Sequence, residues 1–290
     1  MRRLATIPSR MPEGPEIRRA AARIDRVLAG RTVEHAELTQ PHLRRLAASL
    51  IGQQVDLVTS RGKAMLIRFA DGRTLYSHNQ LYGRWYVTSR GRLPRTGRTL
   101  RAALHTDTHS ALLYSASDIA LLDEDDVGTH PYLAKLGPDA LDTAVHWRDV
   151  LVQLRDKRFN GRSLAALYLD QAFVAGIGNY LRSEILFVAR LHPLLRPRDC
   201  TSGELGRLAR ATLDITRQAY ETAGVTNKPG RVARLKKAGA TRRDYRFAVF
   251  ARTGKPCYVC EGRILREALT SRRIYTCPNC QPHPRERALS

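Results

Sequence analysis

Long apolar segments are missing from this sequence. None of its apolar runs approaches the roughly 18 residues of a membrane-spanning helix, and the first residues contain no apolar core of a secretory signal. We therefore expect a cytoplasmic protein without a membrane-inserted part. A hydrophobic content of 43% is nevertheless typical of globular proteins, and 290 residues suffice for two domains that each bury a core.

Acidic residues are also scarce. The chain has 27 Asp and Glu against 49 Lys and Arg, which gives a formal net charge of +22. An excess of this size favours a polyanionic partner, and nucleic acid is the obvious candidate. The alternative is an arginine-rich surface that only keeps the protein soluble.

Cysteines are few, but four of the five form two close pairs near the C-terminus. Cys257 and Cys260 are followed, after sixteen residues, by Cys277 and Cys280, whereas Cys200 lies apart. Two thiolates two residues apart can bind one ion, and two such pairs complete a tetrahedral Zn²⁺ site without an open position. We therefore predict one structural zinc ion in a reducing compartment; the alternatives are two disulfides or a redox-active pair.

The first part of the chain combines one helical segment with a series of strands. Apolar residues recur at helical spacing from Ile17 to Leu28, and Gly30 then ends the pattern. Between residues 51 and 120, short apolar runs alternate with Arg-Gly and Asp-Gly turn signals, which indicates antiparallel strands joined by hairpins. This pattern predicts a β-sandwich or β-barrel with a leading helix.

From about residue 143 the pattern becomes helical. Four segments carry apolar residues at helical spacing: VHWRDVLVQL, SLAALYLDQAFVAG, GNYLRSEILFVARL and ELGRLARATLDITRQAYETAG. Residues 224–246 are basic and poor in large apolar residues, so we predict a mobile loop or linker near nucleic acid. The residues that follow are typical of a compact, strand-rich module.

A glycine-rich turn and a loop tip are candidate DNA contacts. Gly176 and Gly178 precede a helix that begins at Asn179, where exposed backbone amides and the Asn side chain can bind phosphate. The alternative is a turn that merely joins two helices.

The loop tip consists of Gln80, Leu81 and Tyr82, at a turn that ends in Gly83. Apolar side chains at such a tip can fill the gap left by an extruded nucleotide. The alternative is that these side chains belong to the buried core.

Pro12, Glu13 and Lys63 are candidate catalytic residues. The proline nitrogen is a secondary amine only when proline is the first residue, and it can then attack a carbon and form an iminium that makes neighbouring C–O bonds breakable. Glu13 is close enough in sequence to shuttle protons, and Lys63, after an Arg-Gly turn, can hold a phosphate or donate a proton. The alternative is that Pro12 and Glu13 only cap the leading helix.

Taken together, these segments resemble the formamidopyrimidine-DNA glycosylase and endonuclease VIII family from Met11 to about Gln281. The resemblance rests on the two cysteine pairs and on MPEGPEIRRA, SRGKAML, YSHNQLYGRWYV, LLYSASDI, THPYL, GPDAL and LDQAFVAGIGNYLRSEIL. The HNQLYG segment is similar to the bacterial endonuclease VIII branch, whereas the oxidised-purine branch typically has HLGMSG at this turn.

The resemblance implies an α+β multidomain fold. Residues 11–140 would form an N-terminal catalytic β-sandwich domain with a leading helix. Residues 141–245 would form a helix-two-turn-helix domain with the basic loop 224–246. A C-terminal four-cysteine zinc finger would follow at 246–281 and a tail at 282–290.

The resemblance also implies a base excision repair enzyme. Such an enzyme is a bifunctional DNA glycosylase and AP lyase, and this branch removes oxidised pyrimidines from duplex DNA through a Schiff base and then β- and δ-elimination. Pro12 matches the nucleophile, Glu13 the proton donor and Lys63 the residue for β-elimination. Arg272, five residues before Cys277, matches the residue for δ-elimination.

Gln80, Lys135 and Asn179 fall on DNA-contacting positions of the family, and Leu81 and Tyr82 accompany Gln80. Lys135 stands where relatives have arginine, so a bidentate phosphate contact becomes a point-charge contact. We expect a bacterial monomer that associates with the nucleoid when bound to DNA. The alternatives are a catalytically silent, zinc-dependent damaged-DNA-binding protein and an oxidised-purine specificity within the same family.

Residues 1–10 depart from the family pattern. If they remain attached, the nitrogen of Pro12 lies in a tertiary amide and has no lone pair available for attack. We therefore expect residues 1–10 to be a non-native extension, and the functional protein to begin at Met11 and to lose that methionine.

Overall fold

The computed structural model describes residues 12–269 and 272–287. The expectations about residues 1–11 and the end of the tail lie outside these ranges. Within them, the strands are β1 His35–Leu38, β2 Val55–Arg61, β3 Ala64–Phe69, β4 Thr74–His78, β5 Arg84–Ser89, β6 Leu100–His105, β7 His109–Tyr114, β8 Asp118–Leu122, β9 Leu265–Leu269 and β10 Arg272–Thr276. The helices are α1 Gly14–Leu28, α2 Pro41–Arg44, α3 Glu124–Thr129, α4 Trp147–Arg155, α5 Leu164–Leu167, α6 Asn179–Ala189, α7 Ser202–Glu221, α8 Pro229–Lys237, α9 Arg242–Tyr245 and α10 Pro284–Arg287, with short 3-10 turns at Ala47–Leu50, Leu133–Lys135 and Pro197–Asp199.

The first compact unit consists of Pro12 and Glu16–Ala134. Its strands build two four-stranded antiparallel sheets, with the orders β1-β6-β7-β5 and β2-β3-β4-β8. Ile67 and Leu113, from different sheets, belong to one buried core together with Ile24 of α1. Burial of each such side chain contributes roughly 1.5–3 kcal/mol. The predicted β-sandwich with a leading helix is confirmed.

The hairpin between β2 and β3 presents Lys63. Arg61 pairs with Ala64, so Gly62 and Lys63 alone form the loop. Gly62 has a φ of +58°, a left-handed conformation that favours glycine at the start of a two-residue hairpin loop. The Arg-Gly turn signal therefore predicts this hairpin correctly, and it places Lys63 at the end of a rigid strand pair.

The second compact unit consists of Glu13–Pro15 and the residues from Lys135 onward. Helices α4, α6 and α7 correspond to three of the predicted helical segments, and Leu154, Leu186 and Leu208 connect them in one buried core. The capping box that Thr201 and Glu204 form at the start of α7 fixes where that helix begins.

The predicted helix over SLAALYLDQAFVAG is wrong beyond its first turn, α5. Local side-chain hydrogen bonds take the place of helical ones: Asp170 accepts from the backbone N–H of Ala172 at 2.9 Å, and Gln171 donates to the carbonyl of Ile177 at 3.0 Å. The apolar spacing arises instead because the segment is buried, as Phe173 is.

The prediction of a loop at 224–246 is also wrong, because the segment forms α8 and α9. Helix α8 has no buried residue, so it lacks the apolar stripe by which helices are recognised in a sequence. Polar contacts hold it instead. Arg231 donates to Asn227 Oδ1 and to the carbonyl of Tyr258, both at 3.0 Å, and its guanidinium lies 4.9 Å from the centre of the Tyr258 ring.

The C-terminal module contains an antiparallel hairpin of β9 and β10, in which Arg272 pairs with Leu269. It belongs to the second compact unit. A lipid bilayer could not be crossed by any helix within the described ranges, since none is both long and apolar enough.

Candidate active site

Pro12 borders a cavity of about 300 Å³ within the first unit. Leu81 and Tyr82 line the same cavity. With Gln80 they are the loop-tip residues that were predicted to fill the gap left by an extruded nucleotide, and we call these three the wedge residues. The remaining lining residues come from α1 and from the region around β5: Glu16, Ile17, Ala20, Arg23, Asn79, Gly83, Arg84, Trp85 and Arg98. The structure therefore brings the predicted nucleophile together with the predicted wedge, beside several cations that suit a phosphate backbone.

The turn between β4 and β5 presents the wedge residues to solvent. Leu81 is 39% and Tyr82 is 62% exposed, so the alternative that they belong to the buried core is wrong. Gln80 has a φ of +47°, and its side-chain oxygen accepts a hydrogen bond from the Ser117 hydroxyl at 2.9 Å. A strained backbone that its neighbours hold in place is typical of functional loops.

Asn79 is a candidate site residue that the sequence interpretation missed. Only 6% of its surface is exposed, and it lines the cavity of Pro12. Its Oδ1 atom has no hydrogen-bond partner among the described residues. Buried polar atoms without a partner are rare in proteins and call for an explanation. The signal in the sequence is its place in HNQLYG, directly before Gln80, Leu81 and Tyr82.

Lys63 lies in an aromatic and polar environment of the first unit. Its backbone N–H donates to the Tyr132 hydroxyl at 3.1 Å, and the Tyr132 ring packs edge-on against His78 at 4.9 Å. Burial lowers the pKa of His78 below its ordinary value, Asp118 opposes this effect, and the Lys63 cation adds to it. Lys63 is thus a positive charge beside a histidine that burial keeps neutral.

Glu13 is buried in the second unit, where its carboxylate meets the start of α6. It accepts hydrogen bonds from the backbone N–H groups of Gly178 at 2.8 Å, Tyr180 at 2.8 Å and Leu181 at 3.2 Å. Three amide donors at the positive end of a helix dipole stabilise a carboxylate charge. Glu13 therefore caps the start of α6.

This arrangement engages three of the backbone amides that were predicted to bind phosphate at the start of α6. Those of Gly178, Tyr180 and Leu181 donate to Glu13 instead. A Cβ atom on Gly178 would lie 2.4 Å from the carboxyl carbon of Glu13, so only glycine leaves room for the carboxylate. The glycine at position 178 is therefore needed to make space for the Glu13 carboxylate.

A buried arginine links Glu13 with two other predicted residues of the second unit. Nη1 of Arg182 donates to the carbonyl of Ala165 at 2.7 Å, and Nη2 donates to Asn179 Oδ1 at 2.7 Å. Burial lowers the pKa of Arg182 to about 10; the Glu13 charge opposes this effect, and the Arg272 charge adds to it. Glu13, Asn179 and Arg272 therefore share one electrostatic environment.

Arg272 and Lys135 present exposed cations. Arg272 is the first residue of β10, and Lys135 ends the 3-10 turn Leu133–Lys135. Solvent-exposed cations of this kind are suited to contact phosphate. Their assignment to δ-elimination and to DNA binding stays a prediction.

The four clustered cysteines can hold a metal ion. Their sulfur atoms all lie within 4.8 Å of one another; the Cys260–Cys277 distance is 3.3 Å and the Cys257–Cys280 distance is 3.9 Å. These distances exceed the roughly 2.05 Å of a disulfide bond. They bracket the separation of about 3.8 Å between ligands of a tetrahedral ion with Zn–S bonds of about 2.3 Å. The residues thus fit zinc.

Glu184 of α6 ties the C-terminal module to the helices of the second unit, a role that the sequence does not indicate. This fully buried carboxylate accepts the backbone N–H groups of Ala248, Val249 and Phe250, each at 2.8 Å, and also the Thr226 hydroxyl. Four donors satisfy the buried charge. The entry to the module is therefore fixed on the same helix that holds Glu13.

Two family models match this chain. The formamidopyrimidine-DNA glycosylase N-terminal domain matches residues 11–118, and the formamidopyrimidine-DNA glycosylase H2TH domain matches residues 136–229. Together they cover more than half of the sequence.

Named relatives agree with these matches. Endonuclease 8 of an Escherichia coli strain is 45% identical, and that of Salmonella arizonae is 43% identical; each match covers 93% of this chain and 100% of the relative. A crystal structure of Lactococcus lactis Fpg (MutM) with DNA containing N7-benzyl-Fapy-dG has a TM-score of 0.78 at 20% identity. That match covers 94% of this chain and 100% of the other. It supports the fold.

Proposed function

Since the chain belongs to the formamidopyrimidine-DNA glycosylase and endonuclease VIII family, it is a base excision repair DNA glycosylase and AP lyase, and we propose that it removes oxidised pyrimidines from duplex DNA. The similarity to Endonuclease 8 supports this substrate class. The observation that carries the proposed extrusion and attack is the cavity that Pro12 shares with the exposed side chains of Leu81 and Tyr82. A nucleophile beside a wedge is what an enzyme needs to extrude a nucleotide and attack its sugar.

The proposed substrate class can be tested by paired excision assays. We expect release of thymine glycol from duplex DNA to be at least about tenfold faster than release of 8-oxoguanine, which corresponds to roughly 1.4 kcal/mol of discrimination. Equal rates, or faster release of 8-oxoguanine, would reject the pyrimidine specificity and leave the family assignment intact.

Pro12 supplies the nucleophile in this proposal. Its secondary amine attacks C1′ of the extruded nucleotide, so that the new N–C1′ bond forms as the bond to the damaged base breaks. Glu13 takes the proton that the amine loses and passes it to the sugar ring oxygen as the ring opens to the iminium. The three backbone donors to Glu13 support a role that begins from the ionised carboxylate.

The iminium acidifies the adjacent sugar carbon and permits β-elimination of the 3′ phosphate, followed by δ-elimination of the 5′ phosphate. Lys63 is proposed for the first elimination and Arg272 for the second. Gln80, Leu81 and Tyr82 occupy the vacated stack while the nucleotide is extruded. Lys135 and Asn179 contact phosphates.

Replacement of Glu13 should separate the two activities. In Glu13→Gln, one side-chain oxygen is replaced by an NH₂ group that can neither accept the backbone donors nor carry the proton. We expect base excision to fall by roughly 10²–10⁴-fold, as for loss of a general acid–base group. Cleavage of a preformed abasic site should change by less than about tenfold, since Pro12 remains.

Single-turnover assays on the two substrates measure this separation, with thermal unfolding as the control for folding. Unchanged excision in a folded Glu13→Gln protein would refute the proposed proton transfer.

Arg272 has a matched control in its neighbour. Adjacent residues of a strand point to opposite faces, so Arg272→Ala and Arg273→Ala remove the same charge from different surfaces. We expect Arg272→Ala to lower the ratio of δ- to β-elimination product by roughly 10–100-fold, because it removes one charge-assisted hydrogen bond to phosphate. Arg273→Ala should change it by less than about threefold. The ratio of the two elimination products is measured on denaturing gels. If Arg272→Ala and Arg273→Ala change this ratio equally, Arg272 has no specific role in δ-elimination.

We further propose that the ion held by the four cysteines is a single Zn²⁺ and that it is structural. A set of four thiolates leaves no open coordination position, and the bound ion supplies folding free energy to a module that is too small for a core of its own. The proposed working form is a cytoplasmic monomer on duplex DNA.

A further inference from the structure

A second cavity, of about 470 Å³, lies within the second unit against α8 and α9. This volume is typical of small-molecule sites. The cavity shares no lining residue with the cavity of Pro12. Its lining includes an unusual combination of amide, cationic, aromatic and aliphatic side chains: Gln218, Asn227, Val232, Lys236, Arg242 and Tyr245.

Asn227 carries a hydrogen-bond donor without an acceptor. The residue is only 1% exposed. Its Oδ1 atom accepts from the backbone N–H of Lys228 at 3.1 Å and from Arg231 Nη1 at 3.0 Å, and these two donors fix which end of the amide is oxygen. The Nδ2 atom has no partner among the described residues. An acceptor supplied by a ligand would satisfy it.

The charges and the apolar surface of the cavity indicate which chemical class of ligand it could bind. None of the described lining residues is acidic, whereas Lys236 and Arg242 supply two cations. Such a pair suits a phosphate group. Tyr245 adds a flat aromatic surface and Val232 adds an aliphatic one. The centre of the Tyr245 ring lies 5.1 Å from Lys236 Nζ. Aromatic side chains of this kind stack on nucleobases.

We propose that this cavity binds a nucleoside monophosphate unit. A base against Tyr245 and Val232 presents a ring or carbonyl acceptor to Asn227 Nδ2, while Lys236 and Arg242 hold the phosphate. Two sources share this chemistry, a free mononucleotide and a nucleotide of a DNA strand. The inference does not depend on Pro12 and would survive failure of the proposed catalytic mechanism.

The binding test uses the full-length protein and four probes. Thymidine monophosphate, thymidine, inorganic phosphate and a single-stranded thymidine oligonucleotide are titrated by calorimetry at fixed salt. We expect saturable one-to-one binding of thymidine monophosphate, at least about tenfold tighter than that of thymidine or phosphate alone, because both parts of the cavity contribute. Competition by the oligonucleotide assigns the site to a DNA strand, and lack of competition assigns it to the free nucleotide.

Three variants locate the binding. Asn227→Asp keeps the size and the acceptor for Arg231 but replaces the unpartnered donor by oxygen. Lys236→Gln removes a cation of the cavity, whereas Lys237→Gln removes an exposed cation of α8 that does not line it. We expect Asn227→Asp and Lys236→Gln each to weaken binding of thymidine monophosphate by about tenfold or more, and Lys237→Gln by less than about twofold.

Several results would overturn the proposal. These are no saturable binding of thymidine monophosphate in the millimolar range, equal affinity for inorganic phosphate, or equal losses in Lys236→Gln and Lys237→Gln. Thermal unfolding and cleavage of abasic DNA report whether each variant is folded. A variant that cleaves normally but no longer binds the nucleotide separates this site from the active site.

Discussion

Acylation of Pro12 should abolish strand cleavage. We expect a protein that retains residues 1–10 to cleave abasic DNA at least about 10³-fold more slowly than one that begins at Pro12, the scale of losing a covalent nucleophile. In the longer protein the nitrogen of Pro12 belongs to a tertiary amide, whose lone pair is delocalised into the carbonyl. Single-turnover cleavage of a duplex with one abasic site measures the difference.

The control for this comparison is DNA binding. Both proteins should bind a duplex with a reduced, uncleavable abasic analogue with affinities that agree within about tenfold, since the phosphate contacts are the same in both. Equal cleavage by the two proteins, with residues 1–10 shown by intact mass to be present, would contradict the role of Pro12.

Loss of one metal ligand should also have a large effect. Cys277 is fully buried in the cluster of four cysteines, so Cys277→Ser removes one proposed thiolate ligand without adding volume. Structural zinc sites contribute roughly 10 kcal/mol or more in small peptides. We therefore expect the bound metal to fall from one ion per chain to none, and cleavage of abasic DNA to fall by at least about 10²-fold.

Cys200→Ser is the matched control, because Cys200 lies outside the cluster. It should keep its metal and its activity within about twofold. Elemental analysis of the purified proteins gives the metal content and also identifies the ion. A Cys277→Ser protein that still holds one ion and still cleaves would refute a structural site of four cysteines.

The physical reason for the wide effect of Cys277→Ser lies in the contacts of α6. Glu184 accepts the backbone donors at the entry to the module, and Arg182 Nη2 donates to the carbonyl of Arg273 at 3.4 Å. A disordered module would leave the buried Glu184 charge without its donors, and this costs free energy. Damage at the metal site should therefore extend to the helix that holds Glu13.

Features with a local cause were predictable from the sequence. The hairpin that carries Lys63 follows from an Arg-Gly turn between two apolar runs, and α7 begins at the capping box of Thr201 and Glu204. The cluster of four cysteines follows from their spacing, because two residues between ligands already allow both to bind one ion. Each signal lies within a few residues of the feature that it predicts.

Features that depend on distant contacts were not predictable. Glu13 and Gly178 are 165 residues apart, and nothing near either one indicates that the first caps the helix after the second. The same limit explains the segment 224–246, where Arg231 and the Tyr258 ring replace an apolar stripe. The partnerless oxygen of Asn79 becomes visible only when its surroundings are known.

The most direct test of the account is to locate the covalent bond between protein and DNA. Borohydride reduction of the protein on an abasic duplex should give a stable adduct, and mass spectrometry of its peptides should place the deoxyribose remnant on the nitrogen of Pro12. An adduct on Lys63 or any other side chain, or an adduct formed while Met11 still precedes Pro12, would contradict the mechanism.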